Sequence, residues 1–209
     1  MGDVIGGADR LLVAGFSILG AAFGSRLLAA FEDPANFTLA GKTIVGGLLG
    51  GLIAVEIGKK AMGIAQSTGD MFAVPLCVGI AVGRVGCFLA GLEDATHGSP
   101  TSLPWGHDYG DGIPRHPAQL YEIGFLLLFL LPMLVRFKRN LQERNGDLFR
   151  LFMAMYLGYR GGADFLKPGI PVAAGLTAIQ WACVAGLGYY ARDIRRWLTV
   201  RAVVSKGAS

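Results

Sequence analysis

Charged residues are scarce in this chain of 209 residues: Asp, Glu, Lys and Arg together make up 16% of it, against roughly 25% in soluble domains. Hydrophobic residues make up 53%, and 32 residues are glycine. This composition excludes a disordered chain, a disulfide-rich secreted domain and an ordinary soluble enzyme. It favours an integral membrane protein whose helices pack closely through small residues.

Cysteine is also rare. The three cysteines, Cys77, Cys87 and Cys183, have no spacing typical of a metal site, and their odd number argues against a disulfide framework. We therefore expect buried thiols, no metal and no cofactor. The first nine residues carry no positive charge ahead of the apolar run, so we expect no cleaved signal peptide.

Six apolar stretches dominate the chain, each near the ~20 residues that cross a bilayer core. They span residues 11–31, 39–58, 70–92, 117–136, 148–166 and 170–191. The sequence therefore predicts an all-α fold, a polytopic membrane helix bundle with about six transmembrane helices in a single integral membrane domain over residues 1–209. No convincing internal repeat is present, which gives an inverted-repeat transporter little support.

The net charge of +4 comes from basic residues beside the apolar stretches, which indicates orientation in a membrane rather than a nucleic-acid partner. Basic residues follow the second, fourth and sixth stretches. The positive-inside rule then predicts that both termini are cytoplasmic, with a basic cytoplasmic tail at 192–209. The polar outer loop 93–116 is predicted to cover the outer membrane surface.

Five of the six stretches contain an ionisable residue, although a charge at mid-bilayer costs at least ~2.5–3.5 kcal/mol. Each such group needs a partner, water or a function. These residues are Arg26, Lys42, Arg84, Glu122, Arg160 and Asp164.

Glycine pairs four residues apart predict where helices approach each other closely. The second stretch has two overlapping pairs, Gly46/Gly50 and Gly47/Gly51, and the third has Gly79 and Gly83. We expect both stretches to pack against other helices at these glycines.

Arg84 lies within GRVGCF, residues 83–88, where its helix approaches the outer face. A planar guanidinium there suits a lipid phosphate, whose oxygens it binds bidentately. The alternative is an ion pair with Glu122 or Asp164. A second group, Arg160, Asp164 and Lys167, has helical i, i+4, i+7 spacing, which fits either a phosphate site or an internal ladder of salt bridges.

A second motif, RHPAQLYE, covers residues 115–122. Pro117 is typical of a helix start, and a helix from there puts Gln119 and Glu122 on one face. Near a membrane surface, Glu122 would serve either as a proton acceptor or as the ion partner of an arginine.

These motifs resemble those of the bacterial prolipoprotein diacylglyceryl transferases. GRVGCF, GSPTSLPWG at 98–106 and RHPAQLYE are similar to the family's G-R-x-G-N-F, G-x-P-T-x-x-P-W-like and R-H-P-x-Q-L-Y-E patterns. Further matches follow in the same order: GSRL at 24–27 resembles G-A-R-L, GGLLG at 46–50 resembles H-G-G-L-x-G, and residues 159–168 resemble Y-x-x-R-F-x-x-E-F-x-R-x-P. The resemblance covers nearly the whole chain.

The resemblance implies a multi-pass transferase of the bacterial inner membrane that acts in lipoprotein biosynthesis. This family moves the diacylglyceryl group of phosphatidylglycerol onto the lipobox cysteine thiol of a prolipoprotein signal peptide, releasing glycerol phosphate. The implied partners are therefore phosphatidylglycerol, the prolipoprotein and membrane lipid. Such a reaction needs a thiolate as nucleophile and positive charge at the phosphate leaving group.

The matched motifs also imply site residues. Arg84 and Arg160 are the candidates for stabilising the phosphate, and His116 and Glu122 are the candidates for removing the thiol proton. Further positions implied to bind substrate are Arg26, Cys87, Gly98, Gln119, Tyr121 and Asp164.

The chain departs from the family pattern in three respects. Val45 replaces the histidine of H-G-G-L, which is generally taken as catalytic in the family, and a valine cannot accept a proton. Cys87 replaces the asparagine of G-R-x-G-N-F, as either a reactive thiol or a small buried residue. The family's first helix has no counterpart here.

Another base would therefore be needed, and His116 is the first choice because an imidazole accepts protons near neutral pH. Glu122, His97 and His107 are the others. The departures leave two functions open: diacylglyceryl transfer, with the usual or another acceptor, and a non-catalytic paralogue that binds lipid or lipoprotein.

Overall fold

The computed structural model describes residues 7–140 and 146–206 and is mainly helical. In chain order the helices are α1 (Gly7–Ala30), α2 (Ile44–Ala61), α3 (Asp70–Ala90), α4 (Ala118–Gly124), α5 (Leu131–Asn140), α6 (Asp147–Ala163), α7 (Ala178–Tyr189) and α8 (Ala191–Lys206). A π-helical turn, Phe125–Leu130, joins α4 to α5. Strands β1 (His107–Asp108) and β2 (Pro114–Arg115) form a small antiparallel hairpin in loop 93–116. The predicted all-α class is confirmed.

Three of the described helical segments are long and apolar enough to cross a membrane. They are Leu11–Ala30, Asp70–Asp94 and Ala118–Lys138. Large apolar side chains also point outward, for example Leu11 and Leu19 on α1, which are 76% and 72% exposed. Because such a continuous apolar surface suits lipid rather than water, the chain is a membrane protein. The number of about six crossings and the cytoplasmic termini stay predictions.

The sixth apolar stretch is helical only in its second half. Residues 170–177 form a loop, closed by an antiparallel bridge between Ala173 and Leu176, and α7 begins at Ala178. Pro171 lacks a backbone N–H and disfavours a helical conformation in the residue before it. Gly175 also has a positive φ of 74°. The prediction of a helix starting at 170 is therefore wrong.

Two charged residues lie outside the helices in which they were predicted. Lys42 precedes α2, because Thr43 caps that helix by accepting a hydrogen bond from the backbone N–H of Gly46 at 3.1 Å. Lys167 lies beyond α6, which ends at Ala163 and continues as a short 3-10 turn, Asp164–Leu166. The charge of Lys42 therefore does not lie within helix α2. Lys167 likewise does not share a face of α6 with Arg160.

The described residues form two compact units. One comprises the described parts of Met1–Gln66 together with Ile170–Cys183, and the other those of Ser67–Gly169 together with Val184–Ser209. In the first unit α1 packs along α2. In the second, α3 packs against α4, α5, α6 and the π-helical turn, around the buried side chains Cys77, Leu126, Phe152, Met153 and Leu157.

The glycines of α2 make the close approach that the sequence predicts. A Cβ added to Gly46 would collide with the carbonyl oxygen of Gly24 on α1, and one added to Gly50 would collide with that of Gly20. The two backbones are thus in direct contact, and no larger residue fits between them.

The glycine pair in α3, Gly79 and Gly83, makes no close approach to another helix among the described residues. A Cβ added to Gly79 or Gly83 meets no atom within 4 Å, and both glycines lie on the exposed side of the helix. The prediction of close helix packing at this pair is wrong for the part of the chain that the structure describes, because the spacing alone does not say which face of a helix is covered.

Gly50→Ala is expected to destabilise the protein by about 1–3 kcal/mol, since the added methyl group must push two backbones apart. Gly83→Ala is the matched control. It fills open space and should be neutral or raise stability by up to about 1 kcal/mol, because alanine favours a helix over glycine. Unfolding in mixed micelles, followed by tryptophan fluorescence, measures both; equal effects of the two substitutions would contradict the observed packing.

Candidate active site

A buried ion pair joins α3 to α4. Arg84 Nη2 lies 2.9 Å from Glu122 Oε2, and the hydroxyl of Tyr156 on α6 donates to Glu122 Oε1 at 2.6 Å. Arg84, Glu122 and Tyr156 are only 4%, 1% and 0% exposed. Each carboxylate oxygen therefore has a donor, which is what a buried charge requires. Of the two roles open to Glu122, these contacts are those of an ion partner.

A second buried pair lies at the C-terminal end of α6, where Asp164 begins the 3-10 turn. Arg160 follows Tyr156 by one helical turn, on the same face, and its Nη2 is 3.3 Å from Asp164 Oδ1. Arg160 and Asp164 are 5% and 4% exposed. Arg84 and Arg160 both act electrostatically on Glu122. The two guanidinium groups thus lie near the same buried carboxylate.

Three buried donors in this region have no hydrogen-bond acceptor in the part of the chain that the structure describes. They are Arg84 Nε, Arg160 Nη1 and Gln119 Nε2. Gln119 is 1% exposed and lies one turn before Glu122 on the same face of α4. Because a buried unpaired donor is costly, these groups are suited to an oxygen-rich ligand such as a phosphate.

His116 precedes α4 and belongs to a chain of polar aromatic contacts. Its Nδ1 lies 3.2 Å from the hydroxyl oxygen of Tyr121, and that oxygen accepts a hydrogen bond from Trp105 Nε1 at 2.9 Å. Because a hydroxyl oxygen has two lone pairs, it can also accept from His116 Nδ1–H, which leaves Nε2 unprotonated and able to accept a proton. Tyr121 thereby orients the imidazole.

Gly98 lies where loop 93–116 meets both the start of α4 and the 3-10 turn that follows α6. Its N–H donates to the carbonyl of His116 at 2.8 Å, the His116 N–H donates to Ser99, and the Ser99 N–H donates to the carbonyl of Leu166 at 2.7 Å. A Cβ at Gly98 would lie 2.5 Å from His116 Cβ and 2.9 Å from the Leu166 carbonyl oxygen. Glycine at 98 thus lets the backbone tie His116 to the end of α6.

The remaining predicted residues differ in their surroundings. Cys87 is half-buried one turn after Arg84, with its Sγ 4.0 Å from Arg84 Nη1. Arg26 is exposed on α1, in the first unit. The structure therefore brings together Arg84, Gln119, Glu122, Arg160 and Asp164, with His116, Tyr121, Cys87 and Gly98 in the same unit.

Sequence reasoning missed Tyr156, the hydroxyl partner of Glu122, and Tyr109, which donates to Gln119 Oε1 at 2.9 Å. The i, i+4 spacing of Tyr156 and Arg160 was available as a signal for the first. No local pattern points to Tyr109, because its contact with Gln119 depends on how the hairpin of β1 and β2 folds back onto α4.

Comparison with known proteins agrees with the resemblance of the sequence motifs. The sequence profile of the family described as prolipoprotein diacylglyceryl transferase matches residues 8–190. The chain is 30% identical over 200 residues to the phosphatidylglycerol–prolipoprotein diacylglyceryl transferase of Bordetella bronchiseptica, covering 84% of this chain and 74% of that one. For the protein of the same name from Aromatoleum aromaticum the identity is 33% over 201 residues, covering 84% and 72%.

Proposed function

We propose that this chain, which belongs to the prolipoprotein diacylglyceryl transferase family, transfers the diacylglyceryl group of phosphatidylglycerol to the lipobox cysteine thiol of a prolipoprotein. The reaction would take place in the bacterial inner membrane, with both termini cytoplasmic and loop 93–116 outside. The supporting observation is the buried cluster in which Arg84, Arg160 and Gln119 each keep a donor without an acceptor among the described residues.

The chemistry assigns a role to each part of this cluster. The acceptor thiol loses its proton to His116, and the thiolate attacks the glyceryl carbon that carries the phosphate. A carbon–sulfur bond forms as the carbon–oxygen bond breaks, and glycerol phosphate leaves with the electron pair. Arg84 and Arg160 stabilise the charge that develops on its oxygens, in a region shielded from water.

Two ion pairs hold these arginines in place. Glu122 and Tyr156 orient Arg84, and Asp164 orients Arg160. Because the carboxylates occupy one side of each guanidinium, the remaining N–H groups are preorganised for the lipid phosphate at little entropic cost.

A specific observation also favours the non-catalytic lipid- or lipoprotein-binding alternative. Val45, at the position of the family's histidine, is 1% exposed in the first turn of α2. This site offers no proton acceptor and little room for one.

The deciding experiment is transfer from labelled phosphatidylglycerol to a lipobox peptide by the protein in lipid nanodiscs. Wild type is expected to form the thioether product. Val45→His is expected to raise the rate only if the family's geometry is kept around position 45. Absence of product with wild type, together with product from Val45→His, would contradict transfer as the native function and support the binding alternative.

A further inference from the structure

Tyr109 connects the outer hairpin to the buried cluster. It follows β1, and its hydroxyl donates to Gln119 Oε1 at 2.9 Å. Gln119 is itself 1% exposed, so the hydrogen bond passes from a loop residue to a buried amide. The acceptor atom of that amide is therefore already engaged.

The ring of Tyr109 is held by other aromatic rings. Its centroid is 4.6 Å from that of His107 and 5.7 Å from that of His97. Phe88, at the outer end of α3, meets it edge-on at 6.0 Å. Contacts on several sides restrict the ring to one position, so the direction of its hydroxyl is fixed.

The turn that carries Tyr109 is also rigid. Asp108 Oδ1 accepts hydrogen bonds from three successive backbone N–H groups, those of residues 110–112, at 2.8, 3.1 and 3.0 Å. Arg115 binds Asp111 bidentately, with both distances 2.7 Å. The Arg115 guanidinium lowers the pKa of the Asp111 carboxyl to about 2, so this contact persists throughout the physiological pH range.

The consequence for Gln119 follows from the planarity of its amide. With Oε1 turned toward Tyr109, Nε2 must point away from the hairpin. That nitrogen is buried and has no acceptor among the described residues. It lies on the face of α4 that carries Glu122, the partner of Arg84.

We propose that Tyr109 is a positioning residue that fixes the Gln119 amide so that its Nε2 donates to a phosphodiester oxygen of a bound phospholipid. The choice of phosphatidylglycerol as the lipid rests on the proposed function. The hydrogen bond between Tyr109 and Gln119 is observed independently of that function. Burial raises the pKa of the Tyr109 hydroxyl, so this group stays protonated and remains a donor at neutral pH.

A double-mutant cycle tests the coupling between the two residues. The variants are Tyr109→Phe, Gln119→Ala and the pair, with Tyr189→Phe, which removes the hydroxyl of a tyrosine that is 68% exposed, as the matched control. Binding is measured from quenching of tryptophan fluorescence by brominated phosphatidylglycerol in detergent. Brominated diacylglycerol, which lacks the phosphodiester, is the second probe, and thermal melting confirms that each variant is folded.

Tyr109→Phe is expected to weaken phosphatidylglycerol binding about 3- to 10-fold, the range for one net hydrogen bond, and to leave diacylglycerol binding unchanged. In the Gln119→Ala background the same change should have no further effect. Gln119→Glu, which keeps an acceptor for Tyr109 but replaces the donor by a carboxylate that repels the phosphodiester, should weaken phosphatidylglycerol binding at least as much as Gln119→Ala. In turnover, Tyr109→Phe should raise KM more than it lowers kcat.

Several results would overturn the proposal. Additive effects of Tyr109→Phe and Gln119→Ala would show that Tyr109 acts independently, and equal losses with diacylglycerol would show a general packing role. A wild type that binds no phosphatidylglycerol would overturn both this proposal and the proposed function. If Tyr109 and Gln119 are coupled in phosphatidylglycerol binding but no transfer occurs, the positioning role is supported. That result would contradict only the proposed transfer reaction.

Discussion

Arg84→Ala is expected to lower the rate of diacylglyceryl transfer at least about 100-fold, the usual effect of losing one preorganised donor to developing charge. The same change leaves Glu122 buried without its cation, which typically costs about 3–5 kcal/mol of stability. Initial rates with phosphatidylglycerol and a lipobox peptide measure the first effect. Unfolding in mixed micelles measures the second.

Two further variants separate these effects. Arg84→Lys keeps a cation beside Glu122 but lacks the planar fork, so it should remain folded while losing most of the transfer activity. The double variant Arg84→Met with Glu122→Leu replaces the ion pair by apolar side chains and should recover much of the stability without activity. Near-normal transfer by Arg84→Lys would contradict bidentate phosphate binding by this residue.

His116→Ala is expected to slow transfer by about 10²–10⁴-fold, the range for loss of a general base. The two hydrogen bonds that tie residue 116 to Gly98 and Ser99 use only its backbone, so the loop should keep its conformation. Phosphatidylglycerol binding should therefore be unchanged. Added imidazole should restore part of the lost rate, because it replaces the missing proton acceptor and nothing else.

A His116→Ala variant with the wild-type rate would show that the base assignment is wrong. Glu122 would then be the next candidate, but its two carboxylate oxygens are already engaged by Arg84 and Tyr156. A base at this position would have to release one of these partners first. Tyr156→Phe, which frees one oxygen, should then raise the rate rather than lower it.

The buried charges illustrate what the sequence alone could predict. An ionisable residue inside an apolar stretch is too costly to leave unpaired, so each one can be assigned to a paired or functional interior from its position in the chain. The residues for which this assignment is right are Arg84, Glu122, Arg160 and Asp164. The motif spacing also placed Gln119 and Glu122 on one face of α4, because the helical period determines which residues are neighbours.

Other features depend on tertiary contacts that no local pattern encodes. The Gly46/Gly50 and Gly79/Gly83 pairs have the same spacing, yet only the first faces another helix. The contact of Tyr109 with Gln119 depends on how the hairpin folds back onto α4. Residues 170–177 are apolar enough to suggest a membrane helix, but proline and glycine in this segment favour a loop instead.

Complementation in living cells decides whether this chain catalyses diacylglyceryl transfer without the family's histidine. A strain depleted of its own prolipoprotein diacylglyceryl transferase is supplied with this chain, with Arg84→Ala as the inactive control, and lipoprotein processing and growth are measured. Wild type is expected to restore both, and Arg84→Ala is expected to restore neither. Membrane-inserted wild-type protein that restores neither would show that this chain does not catalyse the transfer.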